Sequence, residues 1–128
     1  MASWGTAISA NDTYETIRDA FFEQYDDGAE VKDITDSILK EYKELSENPE
    51  ESNNFWFAIA KFQWECKALD KEIFERVKGI IESGTDIELL KKTEDVIEED
   101  ILRRERILRK FLEELSSEKF TARKRKNI

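Results

Sequence analysis

Histidine is absent from these 128 residues, cysteine and proline occur once each, and glycine occurs four times. Without histidine there is no general base for a serine or cysteine triad, no Glu-x-x-His di-iron site and none of the usual zinc sets. Cys66 alone can make neither an internal disulfide nor a cysteine metal cluster within one chain, and a reducing interior suits it best. No GxGxxG and no GxxxxGKS/T motif occurs, so nucleotide binding has no sequence support. The N-terminus lacks a basic region followed by an apolar stretch, and no run approaches the ~20 apolar residues of a membrane span. A cytoplasmic protein without cofactors, and not an enzyme, is the expectation.

Scarce glycine and proline beside 40% charged residues favour helices over loop-rich sheets. The 39% apolar content, with three Trp, three Tyr and eight Phe, suffices for one compact core and leaves no room for a second. Formal net charge is −9, yet Lys119, Arg123, Lys124, Arg125 and Lys126 stand in the last ten residues with no acid among them. Residues 1–118 therefore hold 16 basic against 30 acidic side chains, near −14. Such a body repels nucleic acid and anionic lipid and suits a basic protein surface, because opposite fields speed encounter. The ordinary role of such acidity is solubility.

Periodicity predicts the elements. Asp12 caps a first helix, with Glu15 at capping-box spacing, Tyr14, Ile17, Phe21 and Tyr25 on its stripe and Gly28 at its end. Val31, Ile34, Ile38, Tyr42 and Leu45 mark a second, stopped at Asn48-Pro49. A third runs from about Pro49 to Ala68, and its Phe55–Ala60 stretch, apolar all round, belongs in the interior. Asp70 caps a fourth, which carries Ile73, Phe74, Val77, Ile80 and Ile81 and ends at Gly84. Thr85 and Glu88 read as another box opening a short turn. Ile97, Ile101, Leu108, Phe111 and Leu115 mark the last helix. Unbroken from Asp86 to Ser116 it would be ~46 Å long at 1.5 Å per residue, more than a small domain accommodates, so a break near Thr93 is expected. No internal repeat or low-complexity tract occurs.

The expected fold is all-α: a single compact orthogonal or bundle-like array of five to six helices. An N-terminal segment carrying Trp4 and Ile8 packs back onto the body, residues 1–118 form the helical domain, and residues 119–128 form a frayed basic tail or linker.

Three groups of residues invite a chemical reading. Glu94, Asp95, Glu98, Glu99 and Asp100 are the densest carboxylates and could hold a divalent cation; their ordinary role is a solvated face that offsets a helix dipole. The tail could neutralise four phosphates, but four cations behind an acidic body make a weak nucleic-acid signal, and the plain alternative is a solubilising end or a linker. Asn53, Trp56, Ala60 and Gln63 recur at three, four and three along the central helix. A buried Gln63 needs hydrogen-bond partners, which Asn11 and Asp12 could supply by clamping the N-terminus to that helix. Alternatively Trp4, Trp56 and Trp64 with Glu65 line a recognition surface, since Trp is frequent at binding hot spots. The candidate binding set is thus Trp4, Asn11, Asp12, Asn53, Trp56, Gln63, Trp64 and Glu65.

Trp4-Gly5-Thr6, Asn11-Asp12 and Asn53-Asn54-Phe55-Trp56 with Gln63-Trp64-Glu65 resemble the signature of a family of small bacterial helical proteins of unknown function. Its members open on WG and ND and carry an FWxAxAxxQWE-like central helix. The resemblance runs to about Leu115, and some members continue past a basic stretch like Arg123–Lys126 into a further segment. It implies a compact accessory or immunity-like protein that binds another protein, with no agreed activity.

Overall fold

In the computed structural model of the chain, which describes residues 7–93 and 95–126, all regular structure is helical. Seven helices follow in order among the described residues: α1 (Asp12–Asp26), α2 (Val31–Glu41), α3 (Lys43–Glu47), α4 (Ser52–Glu65), α5 (Lys71–Ser83), α6 (Thr85–Lys91) and α7 (Glu98–Ser116). The expected second helix is two. Tyr42 leaves helical geometry at φ −109° and ψ 32°, and its carbonyl takes the amides of both Leu45 and Ser46. The bend lets Tyr42 and Leu45 both pack against the core. Among the described residues no helix is long and apolar enough to cross a membrane.

α4 is the axis. Phe55, Phe57, Ala58, Ile59 and Ala60 are wholly buried, and α1, α3, α5 and α7 all pack on it. Tyr14, Phe21 and Phe22 of α1 surround Phe62 with ring centroids at 4.9, 5.7 and 5.1 Å, while Phe57 meets Phe111 of α7 at 5.7 Å. Removing one such buried ring costs about 3–5 kcal/mol.

The boundaries follow local hydrogen bonding. Asn11, not Asp12, caps α1: its backbone is extended and its Oδ1 accepts the Tyr14 amide at 2.7 Å. Asp12 sits one place inside, in the first turn, where a carboxylate offsets the dipole. α4 starts at Ser52, because Asn48 and Pro49 form a turn in which Asn48 Oδ1 accepts the Glu50 amide at 2.8 Å and its carbonyl takes the Ser52 amide at 2.7 Å. Asp70 caps α5 through the amides of Glu72 and Ile73. Gly84, at φ +78°, ends α5 and also heads α6, so the Thr85–Glu88 box does not form and Thr85 instead pairs its hydroxyl with Ser83 at 2.6 Å. α6 and α7 are separate helices. Ile97 is the residue before α7 and 56% exposed, so the buried stripe starts later than its periodicity suggests. Asp86 and Arg104, both buried, tie α6 to α7.

Residues 117–126 are not frayed. They run as a strap across the C-terminal ends of α4 and α1, fastened by the main-chain and side-chain bonds described below. Two guanidiniums with aromatic faces, carboxylates and helix-end carbonyls to meet gain more from docking than from solvation.

Candidate partner-binding site

The eight candidate residues do not form one surface. Trp4 lies outside the described residues. Asn11 and Asp12 stand at the start of α1, where Asn11 also donates to the Ile8 carbonyl at 3.0 Å. Asn53, Trp56 and Gln63 are buried. Trp56 is covered by the Arg76 guanidinium, 4.3 Å from its ring centroid, and packs edge-on against Phe55. Asn53 leaves its Nδ2 without an acceptor among the described residues.

Gln63 finds other partners than those expected. Its Nε2 donates to Thr35 Oγ1 of α2 at 3.0 Å, and its Oε1 accepts the Asp70 amide at 3.0 Å. Thr35 in turn donates to the Val31 carbonyl at 2.9 Å. A core amide bonded through both its nitrogen and its oxygen joins α2, α4 and the entry to α5. The N-terminal end is held instead by Thr13, whose hydroxyl donates to Glu51 Oε1 at 2.6 Å, an oxygen that Asn54 Nδ2 also reaches at 3.2 Å.

Trp64 and Glu65, partly exposed at the end of α4, are the candidates that meet the strap. The Trp64 indole is met by Lys61 and Lys119, with ammonium-to-centroid distances of 5.0 and 5.3 Å, and its Nε1 donates to the Ser117 carbonyl at 3.0 Å. Glu65 pairs with Arg123 at 3.1 Å, and its carbonyl takes the Arg123 amide at 2.9 Å. The Arg123 guanidinium rests 3.9 Å from the Phe22 centroid, and Arg125 rests 4.1 Å from that of Tyr25. Arg125 Nη1 donates to the carbonyls of Tyr25 and, at 2.8 Å, Ala29, where α1 ends with its negative dipole pole. The Tyr25 hydroxyl donates to the Arg123 carbonyl, and Asp26 Oδ1 takes the Lys126 amide at 3.1 Å.

Phe22, Tyr25 and Asp26 share one face of α1 at helical spacing, so the acidic and aromatic surface joins two helix ends. These three and the arginines were not singled out as site residues from sequence. The signal that could have paired them is the two-residue spacing of Arg123 and Arg125, which puts both on one side of an extended chain.

Beneath this surface lies Cys66, buried beside Tyr25; burial pushes its thiol up to about 11 and also raises the Tyr25 phenol. A protonated core thiol is not a nucleophile at neutral pH. Burial, with Glu65 next in importance, pushes the Tyr14 phenol up to about 12. Across the molecule, Glu98 and Glu99 are exposed and Asp100 holds the Ile97 amide at 3.4 Å, while Arg103 pairs with Glu99 and Asp100. Glu94 is outside the described residues, and among those described no three acid or cysteine side chains converge as ion ligands would.

Compared with protein-family models, with curated proteins and with solved structures, the chain matches none.

Proposed function

We propose that this chain is a non-catalytic, cytoplasmic binding domain that takes a basic protein partner on the acidic and aromatic face formed by Phe22, Tyr25, Asp26, Trp64 and Glu65, the first three of which are buried and become available when residues 123–126 give way. The observation that carries this reading is chemical. Each partly exposed candidate on this surface already holds a cation: Trp64 meets two lysines, and Glu65 pairs with Arg123. Aromatic faces beside carboxylates suit Lys and Arg side chains, and a chain of net charge −9 draws such a partner in. An immunity-like protein that masks a basic surface, as the sequence resemblance implies, is the narrower form of this proposal.

The test is capture of the partner from the native cell lysate on immobilised full-length chain, followed by titration of the recovered protein. Affinity is expected to fall about tenfold or more between ~50 and ~500 mM salt, as screening shortens the Debye length. Glu65→Gln should weaken binding and flatten that dependence. A partner that binds equally at both salt concentrations would overturn the proposal.

A further inference from the structure

We infer that the surface at the ends of α1 and α4 is a site for an extended protein segment with the pattern Arg-x-Arg, and that the chain's own tail fills it in cis. The reading given above names a basic partner; the strap supplies the pattern that partner must present.

The geometry is specific to arginine at two positions. The Phe22 and Tyr25 ring centroids are 6.0 Å apart. An extended chain puts side chains two residues apart on one side at about 7 Å, so each of two arginines finds its own ring. Lys124 between them is exposed. Each guanidinium lies over a ring while its edge makes hydrogen bonds, Arg123 to Glu65 Oε1 and Arg125 to two helix-end carbonyls. A planar donor fork can lie flat on a ring while its edge presents several fixed donors, whereas a Lys ammonium offers a point charge with no flat face to stack. The backbone of the occupant is held independently of its side chains. Glu65 takes the Arg123 amide, Tyr25 donates to the Arg123 carbonyl, and Asp26 takes the Lys126 amide. Two stacking faces, two carboxylates and three main-chain anchors are the parts of a peptide-binding groove. A tethered occupant competes at an effective concentration of about millimolar, so the tail lets through only a segment that binds better or arrives attached to a larger interface.

The probe is a fluorescent peptide, Thr-Ala-Arg-Lys-Arg-Lys, compared with Thr-Ala-Lys-Lys-Lys-Lys of equal charge. The proteins are the full chain and its Arg123→Ala/Arg125→Ala variant. By anisotropy, the variant is expected to bind the arginine peptide about tenfold or more tighter than the full chain does, because its tail, held by main-chain anchors alone, competes less well. It should prefer that peptide over the lysine one by a similar factor. No binding by the folded variant, or equal binding of both peptides, overturns the proposal. Should the variant not fold, amide exchange in the unmodified chain decides. Saturating arginine peptide should speed exchange at Arg123 and Lys126 while leaving Phe57 and Ile59 unchanged, and unmoved exchange at the strap overturns the proposal.

The two readings fail separately. A salt-sensitive partner that stays bound under saturating arginine peptide uses another face, which refutes this site and leaves the binding function standing. A chain that takes the peptide but returns no salt-sensitive partner refutes the function and leaves the site.

Discussion

Asp86→Ala is expected to be the most damaging removal of a single charge from the described helices. The carboxylate accepts from Arg104 Nε at 2.8 Å and Nη2 at 3.3 Å, and both side chains are 9% exposed. The guanidinium also lies 5.7 Å from the Phe57 ring centroid, so it is packed into the core as well as paired. Removing one partner of a buried pair takes two charge-assisted bonds from a desolvated guanidinium and costs about 3–5 kcal/mol, against a total stability of about 5–15 kcal/mol for a domain. At this chain length 1 kcal/mol moves Tm by roughly 3–5 °C, so a fall of about 10 °C or more is expected. Exposed pairs set the baseline: Lys43–Glu47, with side chains 71% and 65% exposed, should contribute within about 1 kcal/mol of nothing. The double variant Asp86→Leu/Arg104→Met removes both charges at similar volume and should return to within about 2 kcal/mol of the parent, or exceed it. Urea unfolding followed by tryptophan fluorescence gives the midpoints and slopes for a double-mutant cycle. If Asp86→Ala costs under about 1 kcal/mol, or the double variant is no better than the single, the pair does not hold α6 to α7 as argued.

Further expectations follow from single residues. Gln63→Glu keeps the oxygen that accepts the Asp70 amide but loses the donor to Thr35, whose hydroxyl is committed to Val31. A buried carboxylate there should destabilise by about 2 kcal/mol or more at neutral pH, and because burial raises its pKa the loss should shrink on acidification, which melts at pH ~5 and ~7.5 can compare. Gly79→Ala should stabilise by about 0.5–1 kcal/mol, since an added Cβ meets nothing within 4 Å in the middle of α5. Gly84→Ala has equal space but a φ of +78°, and should destabilise by about 1 kcal/mol in the same denaturation assay. Tyr14 and Cys66, raised in the fold to about 12 and about 11 from ordinary values of 10.0 and 9.0, keep their protons longer folded than unfolded. Their stabilising contribution is full below pH ~9 and is lost as pH rises to ~12, by about 2–3 kcal/mol for each group. Cys66→Ala should flatten the earlier part of that decline in midpoints taken from pH ~8 upward.

Local features carried over from sequence to structure. The Asp70 cap, the stop at Gly84, the separation of the last helix from the short one before it and the apolar-all-round stretch of α4 each depend on residues within a turn or two of one another. Caps, left-handed glycines and helical periodicity act over that distance, so the order of residues is enough to place them. The choice between Asn11 and Asp12 already exceeds it, because either side chain can cap and the path of the preceding residues settles which one does.

Other features were decided at longer range. Tyr42 breaks its helix to let two side chains reach one core, and Gln63 meets a threonine 28 positions away instead of the N-terminal segment. The strap joins residues 98 and 100 positions apart. Composition alone makes Arg123 to Lys126 a solvated basic end, since the chain's order does not say which acids and rings they will meet. Only when the chain folds do the ends of α1 and α4 come together, and only then do Phe22, Tyr25, Asp26 and Glu65 supply faces and oxygens that two guanidiniums prefer to water. Periodicity and capping act through bonds a few residues long and are written along the chain, whereas a composite binding surface exists only after burial has chosen which distant helix ends become neighbours.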